Sequence, residues 1–272
     1  MLKKRTDKKE LESTYMNKKI IISLFSLTLL SGCQFIGENT AKDSTDNTNK
    51  TTKTSTTEKD KATEEKVAIA PLPNVSTADW NLLLVNSDFP MDPTREIPLA
   101  VVDNGLQIDQ RMEADYQAWM EAARNAGFNM ELISAYRSID LQQTVYDQSI
   151  QDNVAKGMSQ EEALKETKEY VAFPGASEHH SALAIDIVDD QWLATGKGLI
   201  PEYDQTDSQK WLVKTMQDYG FILRFPKDKE SFTKISYESW HFRYVGKENA
   251  KYIVDNHLSL EEYVERLKAA GK

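Results

Sequence analysis

The stretch Ser177-Glu178-His179-His180-Ser181-Ala182-Leu183-Ala184-Ile185-Asp186 constrains the fold more than any other part of this chain. It carries two of the four histidines in the sequence, followed by an apolar run with a carboxylate inside it. Asp186 lies between Ile185 and Ile187, in what reads as a buried strand. A lone buried carboxylate is costly, so the fold has to bring it a cation or a metal. A third histidine, His241, closes the run Glu238-Ser239-Trp240-His241.

A catalytic zinc usually takes three protein ligands and keeps one position open. The chain has a single cysteine, Cys33, so a metal here must use His, Asp or Glu. His179 and Asp186 are seven residues apart, too far for one helical turn. A loop histidine and a carboxylate on the next strand can still converge on one ion, with His241 arriving from another strand. Glu238, three residues before His241, is then placed to take a proton from the attacking water and pass it to a leaving amine. Arg137 is a candidate for steadying the oxyanion. Each residue alone has a plainer reading: a surface histidine, an aspartate paired with an arginine, a solvated glutamate, a structural arginine. Spacing leaves both readings open. A serine hydrolase using Ser177 or Ser181 is a third, but there is no Gly-x-Ser-x-Gly elbow.

The net charge of −10 and sequence pI of about 5.0 argue against nucleic acid as a partner. No run of 18 apolar residues occurs, which excludes a multi-spanning membrane protein. The N-terminal part has its own logic. Met16-Asn17-Lys18-Lys19 is basic, Ile20 to Leu30 is mostly apolar, and Leu30-Ser31-Gly32-Cys33 ends in the only cysteine. The pattern is that of a secretory signal, and its end resembles the bacterial lipobox, whose cysteine becomes the lipidated first residue. Residues 1–33 are therefore read as a signal peptide, with Met16 as the natural start and Cys33 as the lipidation site. Residues 34–69 are Ser, Thr, Lys and Asp-rich and read as a disordered tether. Together they imply export and anchorage to the outer face of a cell membrane, most simply in a Gram-positive cell.

Residues 70–272 are enough for one folded domain with a substantial core. Trp80 to Asn86 reads as a strand or extended segment. Asp109 to Gly127 reads as a helix, with Met112, Tyr116, Trp119, Met120 and Ala123 on its buried face and Gly127 as its stop. Strands are expected over 129–134, 221–225 and 240–245, and after Ala184. Helices are expected over 140–150, 159–170, 208–219, 247–256 and 259–268, and a polar loop after Val188. Helices and short strands mix without regular alternation, so the class is α+β, one domain with a small, mainly antiparallel sheet flanked by helices.

The same residues resemble the VanY/LdcB family of zinc carboxypeptidases, which trim peptidoglycan stem peptides. The family pattern Ser-x-His-x-x-Gly-x-Ala-x-Asp appears as Ser177, His179, Ala182, Ala184 and Asp186, and its Glu-x-Trp-His as Glu238, Trp240 and His241. Ser134-Ala135-Tyr136-Arg137-Ser138 with Gln142, Tyr219 to Pro226, and Leu84-Val85-Asn86 extend the resemblance over roughly residues 80–262. It implies the α+β zinc fold shared by D,D-peptidases and the Hedgehog signalling domain. It implies one Zn2+ per chain on His179, Asp186 and His241, with Glu238 as base and Arg137 on the oxyanion side. Ser177, Gln142, Tyr136, Ser138 and Trp240 would lie near the substrate. The implied activity is removal of a C-terminal D-alanine from stem peptides by a monomer, with D,D cleavage favoured over L,D cleavage of tetrapeptides. A non-catalytic wall-binding lipoprotein is the rival of another class. Two family glycines are replaced, by Ala182 and Ala135. If the backbone at Ala182 needs positive φ, alanine costs on the order of 1 kcal/mol there. His180 has no assigned role.

Overall fold

The sheet that carries Asp186 has four antiparallel strands in the order β3-β4-β6-β5. They are β3 (Met130–Ser134), β4 (Ala184–Asp189), β5 (Phe221–Leu223) and β6 (His241–Tyr244). A separate hairpin pairs β1 (Leu99–Val101) with β2 (Gln107–Asp109). The computed structural model describes residues 71–272, all within one unit. The signal peptide, Cys33 and the tether expected from the sequence lie outside the described residues.

The long helix α1 (Glu113–Asn125) covers one face of the sheet. All five residues of its expected apolar stripe are buried. Trp119 stacks on Phe221 at 4.8 Å and meets Phe242 edge-on at 5.3 Å, so one aromatic ties helix to sheet. Gly127 sits at φ 92 and ends the helix, with Phe128 N donating back to Ala123 O at 2.9 Å. A second apolar cluster joins α7 (Lys247–Asp255) and α8 (Leu260–Ala269) to Leu82, Ile222 and Val245. The Ser259 capping box opens α8, and the Ser159 capping box opens α3 (Gln160–Tyr170), which pairs with α2 (Ile139–Ala155). Gly220, at φ 84, lets the chain turn tightly into β5. A Cβ there would sit 2.8 Å from the Tyr244 ring.

The fold class is as expected, and the departures are local. Trp80–Leu82 is a 3-10 turn followed by an irregular segment, not a strand. Its backbone is satisfied from outside a sheet: Arg243 Nη2 donates to Leu83 O at 2.6 Å. The loop after Val188 contains the short helix α4 (Asp190–Ala194), because Asp189 accepts from Trp192 N and caps it. Asp109 ends β2, and a 3-10 turn, Gln110–Met112, precedes α1. The helix read over 208–219 is α5 (Asp207–Thr215) plus a 3-10 turn to Tyr219. The β1–β2 hairpin and α6 (Glu230–Thr233) had no periodic signal, being three and four residues per element.

Candidate active site

Two strands and one turn build the site. Asp186 on β4 and His241 on β6 are direct cross-strand partners, and Ser134 on β3 is the partner of Asp186 on its other side. Residues opposite one another share a sheet face, so these three form one row across the strands. Arg224, just past β5, continues it by donating its backbone N–H to His241 O at 3.2 Å. Arg243, two residues after His241, points to the same face. The 3-10 turn Glu178–Ser181 closes over this face and supplies His179.

That turn is terminated by Ala182 at φ 58 and ψ 13, a left-handed conformation, with no solvent exposure. The strain foreseen for an alanine at this family-glycine position is therefore present. Asp109 N donates to Ala182 O at 2.9 Å and holds the turn against the hairpin.

His179, Asp186 and His241 each offer one ligand atom, all within 4.8 Å of one another, and all three residues are buried. His179 Nδ1 lies 2.7 Å from Ala135 O. A carbonyl can only accept, so Nδ1 carries the proton and the Nε2 lone pair is left facing Asp186 Oδ2 at 3.2 Å. His241 Nδ1 lies 3.2 Å from Asp186 Oδ1 and 3.2 Å from Glu238 Oε2. Asp186 Oδ1 is buried and has no hydrogen-bond partner. A buried carboxylate that turns one oxygen to each of two imidazole nitrogens, with one of those oxygens lacking a donor, fits a cation at the centre of the cluster. Two imidazoles and a carboxylate are a donor set that suits zinc.

The electrostatics follow from burial and from who faces whom. Burial pushes the Glu238 carboxyl above its ordinary value. Burial would also raise Asp186, but His179 and His241 outweigh it and hold that carboxyl low. Burial would lower His241, yet Asp186, Glu178 and Glu238 around it raise its pKa well above that of a free imidazole. His179 is lowered, chiefly by burial.

Arg137 lies beside this cluster at the start of α2. Its Nη1 donates to Gln142 Oε1 at 2.7 Å and its Nη2 to Ser134 Oγ at 2.8 Å. Gln142 is buried, and its Nε2 donates to Ala172 O at 2.7 Å, so both ends of its amide serve the protein and orient Arg137. Ser138 is the N-cap of α2, accepting from Leu141 N. Trp240 packs into the main core. Ser177 is buried at the start of the 3-10 turn. Tyr136 and Arg137 line an open cleft of about 310 Å³, together with Met91, Arg95, Ser138 and His180. His180 acquires a part to play: its Nε2 accepts from Gly175 N at 3.1 Å, so its Nδ1 donates to Arg137 O at 2.7 Å. It fixes the backbone of Arg137.

Sequence reading passed over Glu178, Arg224, Arg243 and Glu261. Glu178 Oε1 accepts from Arg224 Nε at 2.7 Å and from Arg243 Nη1 at 2.6 Å, and Arg224 is forked onto Glu261 at 2.9 and 2.6 Å. Both arginines are essentially unexposed. The one available signal was alternation, which puts Arg243 on the face of His241.

Residues 105–247 match the VanY family, D-alanyl-D-alanine carboxypeptidase. The chain belongs to the VanY family. A D-alanyl-D-alanine carboxypeptidase of Enterococcus faecalis is 37% identical over 186 residues, 68% of this chain and 66% of that protein. The chain thus spans about two thirds of that relative's length. Among solved structures, a variant of the vancomycin-resistance D,D-pentapeptidase VanY, in complex with Zn(II), is 36% identical with a TM-score of 0.62. The match covers 68% of this chain and 99% of that one. The LD-carboxypeptidase LdcB is 32% identical, with a TM-score of 0.59 over 72% of this chain and 94% of that one. Membership of the VanY family makes this chain a carboxypeptidase, and its His179, Asp186 and His241 cluster offers the donor atoms for a metal such as the Zn(II) held by that VanY structure.

Proposed function

We propose that this chain removes the C-terminal D-alanine from peptidoglycan stem pentapeptides, a D,D-carboxypeptidase reaction, while anchored through Cys33 to the outer face of the membrane. The carrying observation is the buried triad His179, Asp186 and His241, with Glu238 3.2 Å from His241 and Arg137 beside it. The names of the E. faecalis relative and of the VanY structure support D,D cleavage. The signal-like N-terminus ending at the only cysteine supports the anchor.

In this reading His179, Asp186 and His241 hold the zinc. Bound there, zinc supplies Lewis-acid polarisation of the scissile carbonyl and eases deprotonation of water. Glu238 takes the proton of the attacking water, and its raised pKa suits it to hand that proton on to the leaving D-alanine nitrogen. Arg137, set by Ser134 and Gln142, donates to the oxyanion as the tetrahedral carbon forms. In this reading Ser177 meets the substrate from the turn bearing His179, and Tyr136 and Ser138 from the segment between β3 and α2.

The test uses residues 67–272, chelated and then given zinc, with stem pentapeptide and stem tetrapeptide in separate reactions read by mass spectrometry. Zinc-restored loss of one alanine from the pentapeptide alone is the expected result. Loss from the tetrapeptide alone would replace it with the L,D activity named for LdcB. No loss from either substrate by a zinc-loaded protein would leave a wall-binding role in its place.

A further inference from the structure

We propose that Glu178 is the positioning residue for His241, fixing which imidazole nitrogen faces the metal. The inference rests on the proposed ligand role of His241. His241 has two ring nitrogens, and the fold has to choose between them. Its Nδ1 faces Asp186 and Glu238, each at 3.2 Å. Its Nε2 points the opposite way and lies 3.5 Å from Glu178 Oε2. Both of these last atoms are buried, and neither has a hydrogen-bond partner elsewhere. A carboxylate oxygen is acceptor-only, so it favours the tautomer with the proton on Nε2. That leaves the Nδ1 lone pair for a cation.

Glu178 can do this because it cannot turn away. Its other oxygen accepts from both Arg224 and Arg243. Arg224 is held in turn by Glu261 on α8, and Arg243 by the carbonyls of Asn81 and Leu83. The two arginines and two glutamates balance in charge, which is what allows Glu178, Arg224 and Arg243 to be buried together, with Glu261 half-buried at the edge of the cluster. His179 solves the same problem with a backbone carbonyl, Ala135 O, behind its ring. The two histidines are thus oriented by different means, one by the chain and one by a clamped side chain. A group behind a ligating histidine typically changes metal affinity 10–100-fold when altered.

The test compares Glu178→Gln with Glu261→Gln in the full folded domain. In Glu178→Gln the arginines claim the amide oxygen and leave its NH2 aimed at His241 Nε2, donor against donor. The zinc dissociation constant, read by chelator competition, should rise about 10–100-fold. Glu261→Gln loosens the same cluster without touching His241, so its unfolding midpoint should fall while its zinc affinity stays within about threefold of wild type. Equal zinc affinity in wild type and a folded Glu178→Gln would overturn the proposal. Should Glu178→Gln not fold, the wild type decides: nitrogen-15 NMR of the zinc-loaded protein should show His241 protonated at Nε2, and protonation at Nδ1 would overturn it. A wild type that binds zinc through His241 but hydrolyses neither stem peptide would defeat the proposed function and leave this inference standing.

Discussion

Asp186 and His241 face each other as register partners on β4 and β6, so the sheet's own hydrogen bonding sets the spacing of two of the three proposed metal ligands. His179 is brought to them by a turn, not by a strand. The pair therefore survives whatever the turn does, and metal loss should not by itself dismantle the sheet. Asp186→Asn is expected to fold, because the amide can still meet the two imidazoles. It should lose the gain in unfolding temperature that zinc gives the wild type, since only binding to the native state stabilises. Thermal unfolding with and without zinc measures it. An undiminished zinc-dependent rise in the variant would remove Asp186 from the ligand set.

Glu238 sits against the cluster but on the proposed side of the water, not of the metal. Glu238→Gln should lower kcat by about 10²–10⁴, the usual reach of a general acid–base group, with zinc affinity within a few-fold of wild type. Stopped assays of alanine release and chelator competition on the same preparation separate the two. A variant that loses zinc and activity together would make Glu238 a ligand.

Gln142 illustrates action at one remove. Replacing it with Ala removes the acceptor that Gln142 gives Arg137 Nη1 and the donor that it gives Ala172 O. A lost buried partner costs about 1–3 kcal/mol, so the unfolding free energy should drop by that order. If Arg137 serves the oxyanion, kcat should fall with it while zinc affinity holds. Urea unfolding and steady-state kinetics check the two halves.

Much of this was legible before any coordinates. The apolar stripe of α1 is periodic, the two capping boxes are local in sequence, and the run around Asp186 reads as a buried strand on hydrophobicity alone. The cluster of His179, Asp186 and His241 followed from the cost of burying a lone carboxylate and from the family motif. What stayed hidden depends on three-dimensional partners. Glu178 drew no role from the sequence because its two arginines lie 46 and 65 residues away. Gln142 was placed near the substrate because only the fold shows its amide spent on Arg137 and Ala172. The β1–β2 hairpin has strands of three residues, too short for any alternation to register.

The interior also sets an alkaline limit. Burial is the main reason the Tyr116 and Tyr203 hydroxyls sit well above the ordinary tyrosine value of 10.0. Above that value the unfolded chain gives up phenolic protons that the native state keeps. The native state then binds more protons than the unfolded one, so stability must fall as pH rises. Below pH 10 both states are protonated and these groups add no slope. Urea unfolding of the zinc-free protein should therefore lose stability from about pH 10 upward, and Tyr116→Phe should flatten part of that loss. An identical slope in the variant would assign the effect to other groups.

Ala182 tests how much backbone strain the site tolerates. At φ 58 an L-residue costs about 1–2 kcal/mol that glycine avoids. Ala182 is also fully buried, so its methyl is worth about 0.8 kcal/mol of burial, and glycine adds unfolded-state entropy of about 0.4–1 kcal/mol. The terms nearly cancel, and Ala182→Gly should lie within about 1 kcal/mol of the wild type. Ala182→Val has no such compensation: its branch is poorly suited to positive φ, and two extra methyls enter a site with no exposed surface. It should lose at least about 2 kcal/mol and, because Ala182 ends the turn bearing His179, should weaken zinc binding as well. Denaturant unfolding of the three proteins, followed by chelator competition, gives the order. If Ala182→Gly were several kcal/mol more stable than the parent, the turn would be carrying far more strain than its backbone angles imply.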